Sequence, residues 1–174
     1  MDWPQFAVQW LHVLFAITWF GAVIYFGAVI YTDFILIPAI TTLPPREQRT
    51  AGSAIGNHSA RIITSAAMAV IVLGFLRGTV FGSIKSVDAL SSTYGLTWLF
   101  AFALSIFTFY WGLKVIVGAL ERFNAFDLDQ ATLPDGSPNP VMVGLIADIK
   151  RKSQIELVFF FVIFTCMILM RFGY

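Results

Sequence analysis

Residues 3–32 read WPQFAVQWLHVLFAITWFGAVIYFGAVIYT, and none of these thirty residues carries a formal charge. A transmembrane helix needs about 20 consecutive apolar residues to cross a hydrocarbon layer of about 30 Å. The stretch therefore predicts a first membrane-spanning helix. It lacks the basic start of a secretory signal, and its apolar run is longer than a signal's hydrophobic region, so we expect it to be retained as a span.

The composition agrees with a membrane protein. The chain has 174 residues, of which 58% are hydrophobic and 12% are charged, whereas about 25% of the residues in a typical soluble domain are charged. The net charge of +1 gives no reason to expect a nucleic-acid partner. The single cysteine, Cys166, excludes an internal disulfide and a cysteine-rich zinc or iron–sulfur site.

Three further uncharged runs, 62–76, 89–113 and 157–170, predict three more spans. We predict an all-α, integral membrane bundle of four transmembrane helices that forms a single membrane domain over residues 1–174. The predicted spans are 5–32, 58–81, 91–118 and 152–172, and the predicted cytoplasmic loops are 41–57 and 121–150. Pro44-Pro45 and Asn139-Pro140 each predict a helix start with proline in the first turn.

The distribution of Lys and Arg predicts the orientation. The loops between spans 1 and 2 and between spans 3 and 4 carry most of the basic residues: Arg46, Arg49, Arg61, Arg122, Lys150, Arg151 and Lys152. The opposite side carries Arg77, Lys85 and Arg171. Because basic residues favour the cytoplasmic side, both termini are predicted to lie outside.

His12 is the first candidate for chemistry, because it lies about 9 Å below the outer boundary of span 1. A neutral imidazole at that depth needs a hydrogen-bond partner or a metal, and both interpretations stay open. His58 lies at the inner boundary, about 20 Å away in depth, so one haem bound by both histidines is disfavoured. His58 is a second candidate ligand or an ordinary interfacial residue.

Sulfur-containing residues lie at the predicted depth of His12. Cys166, Met167 and Met170 are on span 4, and Met68 is nearer the middle of span 2. Thioether and thiol groups are soft ligands that suit copper(I), and His/Met ligation also suits haem. Packing is the alternative interpretation, since methionine commonly fills space in hydrophobic helices.

A second cluster of candidates is predicted at the inner ends of the helices, formed by Asp33, Arg61, Lys114 and Glu156. Pairing of Lys114 with Glu156 would offset the cost of placing two charges at the membrane edge. The cluster fits a brace between helices, a proton relay, an anchor for haem propionates or a quinone site. Because no nucleophilic triad, P-loop or paired-carboxylate motif is present, an enzyme for soluble substrates is disfavoured.

The first span resembles the first helix of three groups of membrane proteins. His12 is followed by Trp19, Gly21, Tyr25-Phe26 and Pro38, which is similar to CopD-like copper-resistance proteins, HemJ-type protoporphyrinogen oxidases and the membrane domains of urate oxidases. Arg61, Lys114 and Glu156 are also similar to the CopD pattern. The resemblance covers nearly the whole chain through short motifs.

The resemblance implies a haem b cofactor held by His12, with Trp19, Arg61, Lys114 and Glu156 as further cofactor-binding residues. The protein is then expected to be a membrane redox protein, a subunit of a complex or an oxidoreductase component, with a quinone or a redox protein as partner. CopD-like relatives imply copper transport instead, with His12, His58, Met167 and Met170 as metal ligands. A cofactor-free accessory subunit is the third hypothesis. The expected location is the cytoplasmic membrane of a prokaryote.

Overall fold

The computed structural model describes residues 2–27, 35, 37–40 and 42–174. These residues form helices and contain no β-strand, and only an isolated bridge joins Thr132 to Pro138. The helices are α1 (Trp3–Ala22), α2 (Ile37–Ile40), α3 (Pro45–Thr79), α4 (Thr93–Trp111), α5 (Val117–Ala125) and α6 (Pro140–Arg171). A π-helix continues α1 over Val23–Gly27, and another, Gly112–Ile116, joins α4 to α5.

Four helical stretches are long and apolar enough to cross a membrane: Trp3–Tyr25, Arg46–Thr79, Thr93–Ala125 and Pro140–Arg171. Between 17% and 28% of the most apolar window in each stretch is buried, so most of these side chains face outward. Soluble proteins rarely expose so much contiguous apolar surface, whereas lipid covers it. The prediction of an all-helical protein with four helices of spanning length is confirmed, and the orientation stays a prediction.

The helices extend further than the uncharged runs indicated. α3 begins at Pro45, so most of the predicted loop 41–57 is helical. α6 begins at Pro140, inside the predicted loop 121–150, and Asn139 caps it by accepting a hydrogen bond from the backbone N–H of Val141 at 2.9 Å. Hydropathy marks only the part of a helix that suits lipid, while proline and capping residues set where the helix begins. The predicted end of the first span, 28–32, lies outside the described residues.

The chain divides into two compact units whose boundaries fall within the long helices. The first unit contains Met1–Gly21, Arg61–Phe109 and Val158–Tyr174, and the second contains Ala22–Ala60 and Tyr110–Leu157. Both α3 and α6 contribute residues to each unit. The prediction of a single membrane domain stays a prediction.

Aromatic side chains join the helices of the first unit. The ring centroids are 4.8 Å apart for Trp19 of α1 and Phe160 of α6, and 5.3 Å apart for Phe107 of α4 and Phe159 of α6. The ring of Phe75 on α3 lies 5.9 Å from that of Phe102 on α4. Such contacts contribute about 0.5–1.5 kcal/mol each beyond the burial of area. They connect α1, α3, α4 and α6 within this unit.

Hydroxyl side chains buried in the first unit are satisfied by their own helix. The Ser105 hydroxyl donates to the Ala101 carbonyl at 2.8 Å, and the Thr108 hydroxyl donates to the Leu104 carbonyl at 2.7 Å. A membrane interior offers no water to polar groups, so bonds to the preceding turn remove the cost of placing hydroxyls there. These residues therefore need no ligand.

The second unit is held by polar contacts near helix ends. The Arg49 guanidinium of α3 donates to the Phe126 carbonyl at 2.7 Å and lies 5.9 Å from the centre of the Phe123 ring. The Trp111 indole N–H donates to the Lys152 carbonyl at 3.3 Å. These bonds satisfy backbone carbonyls and tie α3 and α4 to their neighbours in this unit.

The connection between α5 and α6 is an exposed loop and lies within the predicted loop 121–150. A short 3₁₀-helix spans Leu128–Gln130, and a turn follows in which Gly136 has φ +83°. The hydroxyl and the backbone N–H of Ser137 both donate to the Asp135 carboxylate, at 2.6 and 2.9 Å. These bonds hold the pKa of Asp135 below its usual range, the hydroxyl having the larger effect.

Candidate metal centre

His12 lies on the buried face of α1. With Trp19, it is one of the two buried residues of that helix, and 6% of its surface is exposed. Seven residues correspond to about two helical turns, so both side chains point to the same side. The Nδ1 atom of His12 has no hydrogen-bond partner among the described residues. The imidazole also has a backbone hydrogen bond to Val70. A buried polar atom without a partner is costly, and a water molecule or an ion can satisfy it.

A glycine on α3 makes room for the His12 ring. A Cβ atom added to Gly74 would lie 3.1 Å from Cε1 and 3.6 Å from Nδ1 of His12. The edge of the imidazole that carries the free nitrogen therefore packs directly against the α3 backbone. Small residues permit such close approach between helices in membranes.

A cavity of about 50 Å³ lies beside His12 in the first unit. Its wall includes the side chains of Met167 and Met170 from α6, together with Arg77, Tyr94 and Ser105. The volume exceeds the roughly 30 Å³ of one water molecule. It is smaller than the roughly 300–1,000 Å³ of ordinary small-molecule and cofactor sites.

The donors around the cavity define the chemistry available there. An imidazole nitrogen and two thioethers are the only soft ligands on the wall of this cavity, since Ser105 already bonds to its own helix. Neutral nitrogen and sulfur donors suit copper(I), whereas Mg²⁺ and Ca²⁺ require oxygen ligands. Within the described ranges, no group of three or more His, Cys, Asp or Glu residues could hold a metal ion.

Other predicted residues of the first unit lie outside the cavity wall. Trp19 packs edge to face on Phe160, with an interplanar angle of 79°. Cys166 is buried, and Met68 is 55% exposed. The structure thus assembles His12, Met167 and Met170 and leaves Trp19 as an aromatic packing residue.

His58 belongs to the second unit and does not line the His12 cavity. Its side chain is exposed, and its Nδ1 atom lies 3.0 Å from the carbonyl oxygen of Ala54. Because a carbonyl oxygen only accepts hydrogen bonds, Nδ1 is the donor in this contact. The structure therefore accounts for His58 as an exposed helix residue bonded to its preceding turn.

The predicted pair of Lys114 and Glu156 does not form an ion pair among the described residues. Glu156 is buried, and a Cβ atom added to Gly112 would lie 3.0 Å from its Oε1 atom. Lys114 is exposed and lies two residues beyond Gly112, roughly half a turn around the helix. The face that meets Glu156 is therefore that of Gly112. Arg61 is exposed in the first unit, and Asp33 lies outside the described residues.

Sequence reasoning missed three residues of the cavity region: Gly74, Arg77 and Tyr94. A signal was present in the spacing of Gly74, Arg77 and Gly78, which share one face of α3 at offsets of three and four. Two glycines beside an arginine in a membrane helix indicate a face that meets another helix rather than lipid.

We expect the substitution Gly74→Ala to destabilise the protein by roughly 1–3 kcal/mol, because the added methyl group presses on His12. Gly21→Ala is the matched control, since its Cβ would meet nothing within 4 Å. Thermal unfolding of both variants in detergent measures the difference. Equal melting temperatures for the two variants would contradict the close packing of His12 on α3.

Comparison of the chain with known proteins finds no relative. No protein-family model, no curated protein and no solved structure matches this chain. The resemblances to CopD-like, HemJ-type and urate-oxidase membrane proteins therefore stay predictions.

Proposed function

We propose that this protein binds and handles copper(I) within the membrane, with His12, Met167 and Met170 as its ligands. One observation carries the proposal. The buried Nδ1 atom of His12 has no hydrogen-bond partner among the described residues, and His12 lines the same cavity as Met167 and Met170. A copper ion would use this nitrogen and remove the cost of leaving it unpaired.

The donor set favours copper(I) over the other metals that bind imidazole. Structural zinc is usually held by four ligands drawn from cysteine, histidine and carboxylates. Thioethers select copper(I) because both are soft. A monovalent ion also costs less to bring into a low-dielectric site than a divalent one does.

Haem is the leading prediction from the sequence, and we place it second because the cavity beside His12, of about 50 Å³, is smaller than ordinary cofactor sites. We therefore place copper first, which agrees with the resemblance to CopD-like proteins. With both termini outside a prokaryotic cytoplasmic membrane, the copper site would lie in the outer half of the bilayer.

An adjoining cavity offers an entry path for the ion. It has a volume of about 600 Å³ and shares Arg77 and Tyr94 with the His12 cavity. Movement of these two side chains would connect the copper site with the larger cavity. A metal site needs an entry path, and the larger cavity would supply it.

Metal analysis of the purified protein tests the proposal. The protein is loaded with copper(I) under reducing conditions, washed with a copper(I) chelator and analysed for metal and for visible absorption. We expect one copper ion per chain and no haem band. A haem band without copper would overturn the proposal in favour of the redox protein. Colourless, copper-free protein that purifies with other subunits would overturn it in favour of the accessory subunit.

A further inference from the structure

The cavity of about 600 Å³ in the first unit is itself a candidate binding site, independent of copper. Its volume lies within the roughly 300–1,000 Å³ of ordinary ligand pockets. Its polar wall is formed by Asp2, Gln5, Gln9, Arg77, Ser83 and Tyr94. Phe6 and Phe81 add apolar surface. The cavity therefore suits a ligand with a charged head and an apolar part.

Arg77 contributes a cation that the described residues do not neutralise. No described carboxylate lies within 4.0 Å of its guanidinium. It is also not needed to cap α3, because the backbone N–H groups of Phe81 and Ile84 donate to the Leu76 and Gly78 carbonyls, each at 3.0 Å. The Lys85 ammonium donates a hydrogen bond to the Thr79 carbonyl at 2.8 Å. The guanidinium is therefore available for an anion.

Asp2 contributes a negative charge to the same wall. Its carboxylate accepts the backbone N–H of Gln5 at 3.5 Å, a long bond, and forms no ion pair within the described part of the chain. A bare phosphate would meet repulsion from this carboxylate. A zwitterion with an oxyanion and an ammonium would match both charges, since each would meet its opposite.

The position of the cavity favours a lipid as the source of that zwitterion. It lies where α1 begins and α3 ends, at the edge of two helices that are long and apolar enough to cross a membrane. Trp3 and Phe6 beside it are 68% and 45% exposed. Exposed aromatic residues at the ends of apolar helices mark the level of lipid head groups.

We propose that this cavity binds the head group of a phospholipid that carries a primary ammonium, such as phosphatidylethanolamine. The phosphate lies at Arg77, whose planar guanidinium can donate two parallel hydrogen bonds to its oxygens. The amide of Gln9 and the hydroxyl of Tyr94 supply further donors. The ammonium donates to Asp2, which a trimethylammonium group cannot do because it has no N–H.

Lipid-dependent stabilisation of purified, copper-free protein tests this proposal. Delipidated protein in detergent is titrated with short-chain phosphatidylethanolamine, phosphatidylcholine or phosphatidylglycerol, and the melting temperature is recorded. We expect phosphatidylethanolamine to bind about tenfold more tightly than the other two lipids, as expected for a charge-assisted hydrogen bond. Water-soluble glycerophosphoethanolamine, used as a further arm, distinguishes a lipid from a free ligand and should bind more weakly.

Two variants identify the groups that bind. Arg77→Gln should abolish stabilisation by all three lipids, and Asp2→Asn should remove only the preference for phosphatidylethanolamine. Arg171→Gln is the matched control, because it removes the same charge from the first unit outside the cavity wall. Unchanged lipid responses in Arg77→Gln, or stronger binding of the free head group than of the lipid, would overturn the proposal. Copper analysis of Asp2→Asn, whose altered residue lines only the larger cavity, reports separately on the proposed function.

Discussion

Replacing His12 with leucine should abolish copper retention while leaving the copper-free protein at least as stable as the wild type. The loss of a direct ligand should lower copper affinity by more than the roughly 10–100-fold that follows loss of an outer-shell partner. Leucine fills much of the volume of the ring and carries no polar atom. It therefore removes the buried, unpaired Nδ1, whose desolvation costs roughly 1–3 kcal/mol.

The opposite signs of these two effects distinguish a ligand from a structural residue. If His12 only stabilised helix packing through a hydrogen bond, its removal would lower the melting temperature of copper-free protein. If His12 is a ligand, the protein tolerates the cost of burying an unpaired nitrogen because that nitrogen binds the metal. Leucine removes this cost and should not lower the stability of the copper-free protein. The measurement is a pair of melting curves, with and without copper(I), for each protein.

Methionine substitutions provide the controls. Met167→Leu and Met170→Leu keep nearly the same volume and remove the sulfur, so each should weaken copper binding with little change in stability. Met68→Leu should leave copper binding unchanged, because Met68 is exposed and lies outside the cavity wall. Full copper retention in His12→Leu, or equal losses in all three methionine variants, would contradict the site.

The membrane-spanning helices could be predicted from sequence because their cause is local. An uncharged run of sufficient length must satisfy its backbone internally in lipid, and a helix does so. Counting residues along straight helices predicted a common depth for His12, Met167 and Met170. The structure places these three side chains around one cavity.

The lateral contacts could not be predicted in the same way. Apolar residues cover all faces of these helices, so hydropathy does not indicate which face meets a neighbour. The close approach of Gly74 to His12 depends on the rotation of α3 about its axis. That rotation is set by packing of whole side chains, which a single sequence does not reveal.

The inner cluster illustrates a second limit, which concerns helix geometry. Counting at a constant rise placed Lys114 and Glu156 within about a turn of the same depth. The π-helix Gly112–Ile116 interrupts the regular helix at this point, and Gly112 rather than Lys114 meets Glu156. An irregular turn of this kind alters which side chains face a neighbour, and it is often found at functional sites.

Gly78→Ala should strongly destabilise the first unit. The added Cβ atom would overlap the Trp98 indole at Nε1, Cε2 and Cζ2. The indole has little freedom to move, because it stacks on the Phe102 ring with an interplanar angle of 5° and a centroid separation of 5.2 Å. The centroid of the Phe75 ring is 6.4 Å from that of the indole. Overpacking of a fixed core usually costs roughly 1–3 kcal/mol, and we expect a loss at or above the upper end.

Gly56→Ala is the matched control for Gly78→Ala, because it lies on the same helix and its Cβ would meet nothing within 4 Å. It should be at least as stable as the wild type, because alanine favours a helix by about 1 kcal/mol relative to glycine. The double variant Gly78→Ala with Trp98→Phe should recover much of the lost stability, since the smaller ring vacates the space that the methyl group needs. A thermodynamic cycle over the four proteins isolates the coupling between the two positions. A coupling near zero would mean that Gly78 is required for a reason other than contact with Trp98.

Gly78 and Trp98 also line the His12 cavity, so recovery of stability without recovery of copper binding would show that the shape of this wall matters to the metal as well as to the fold.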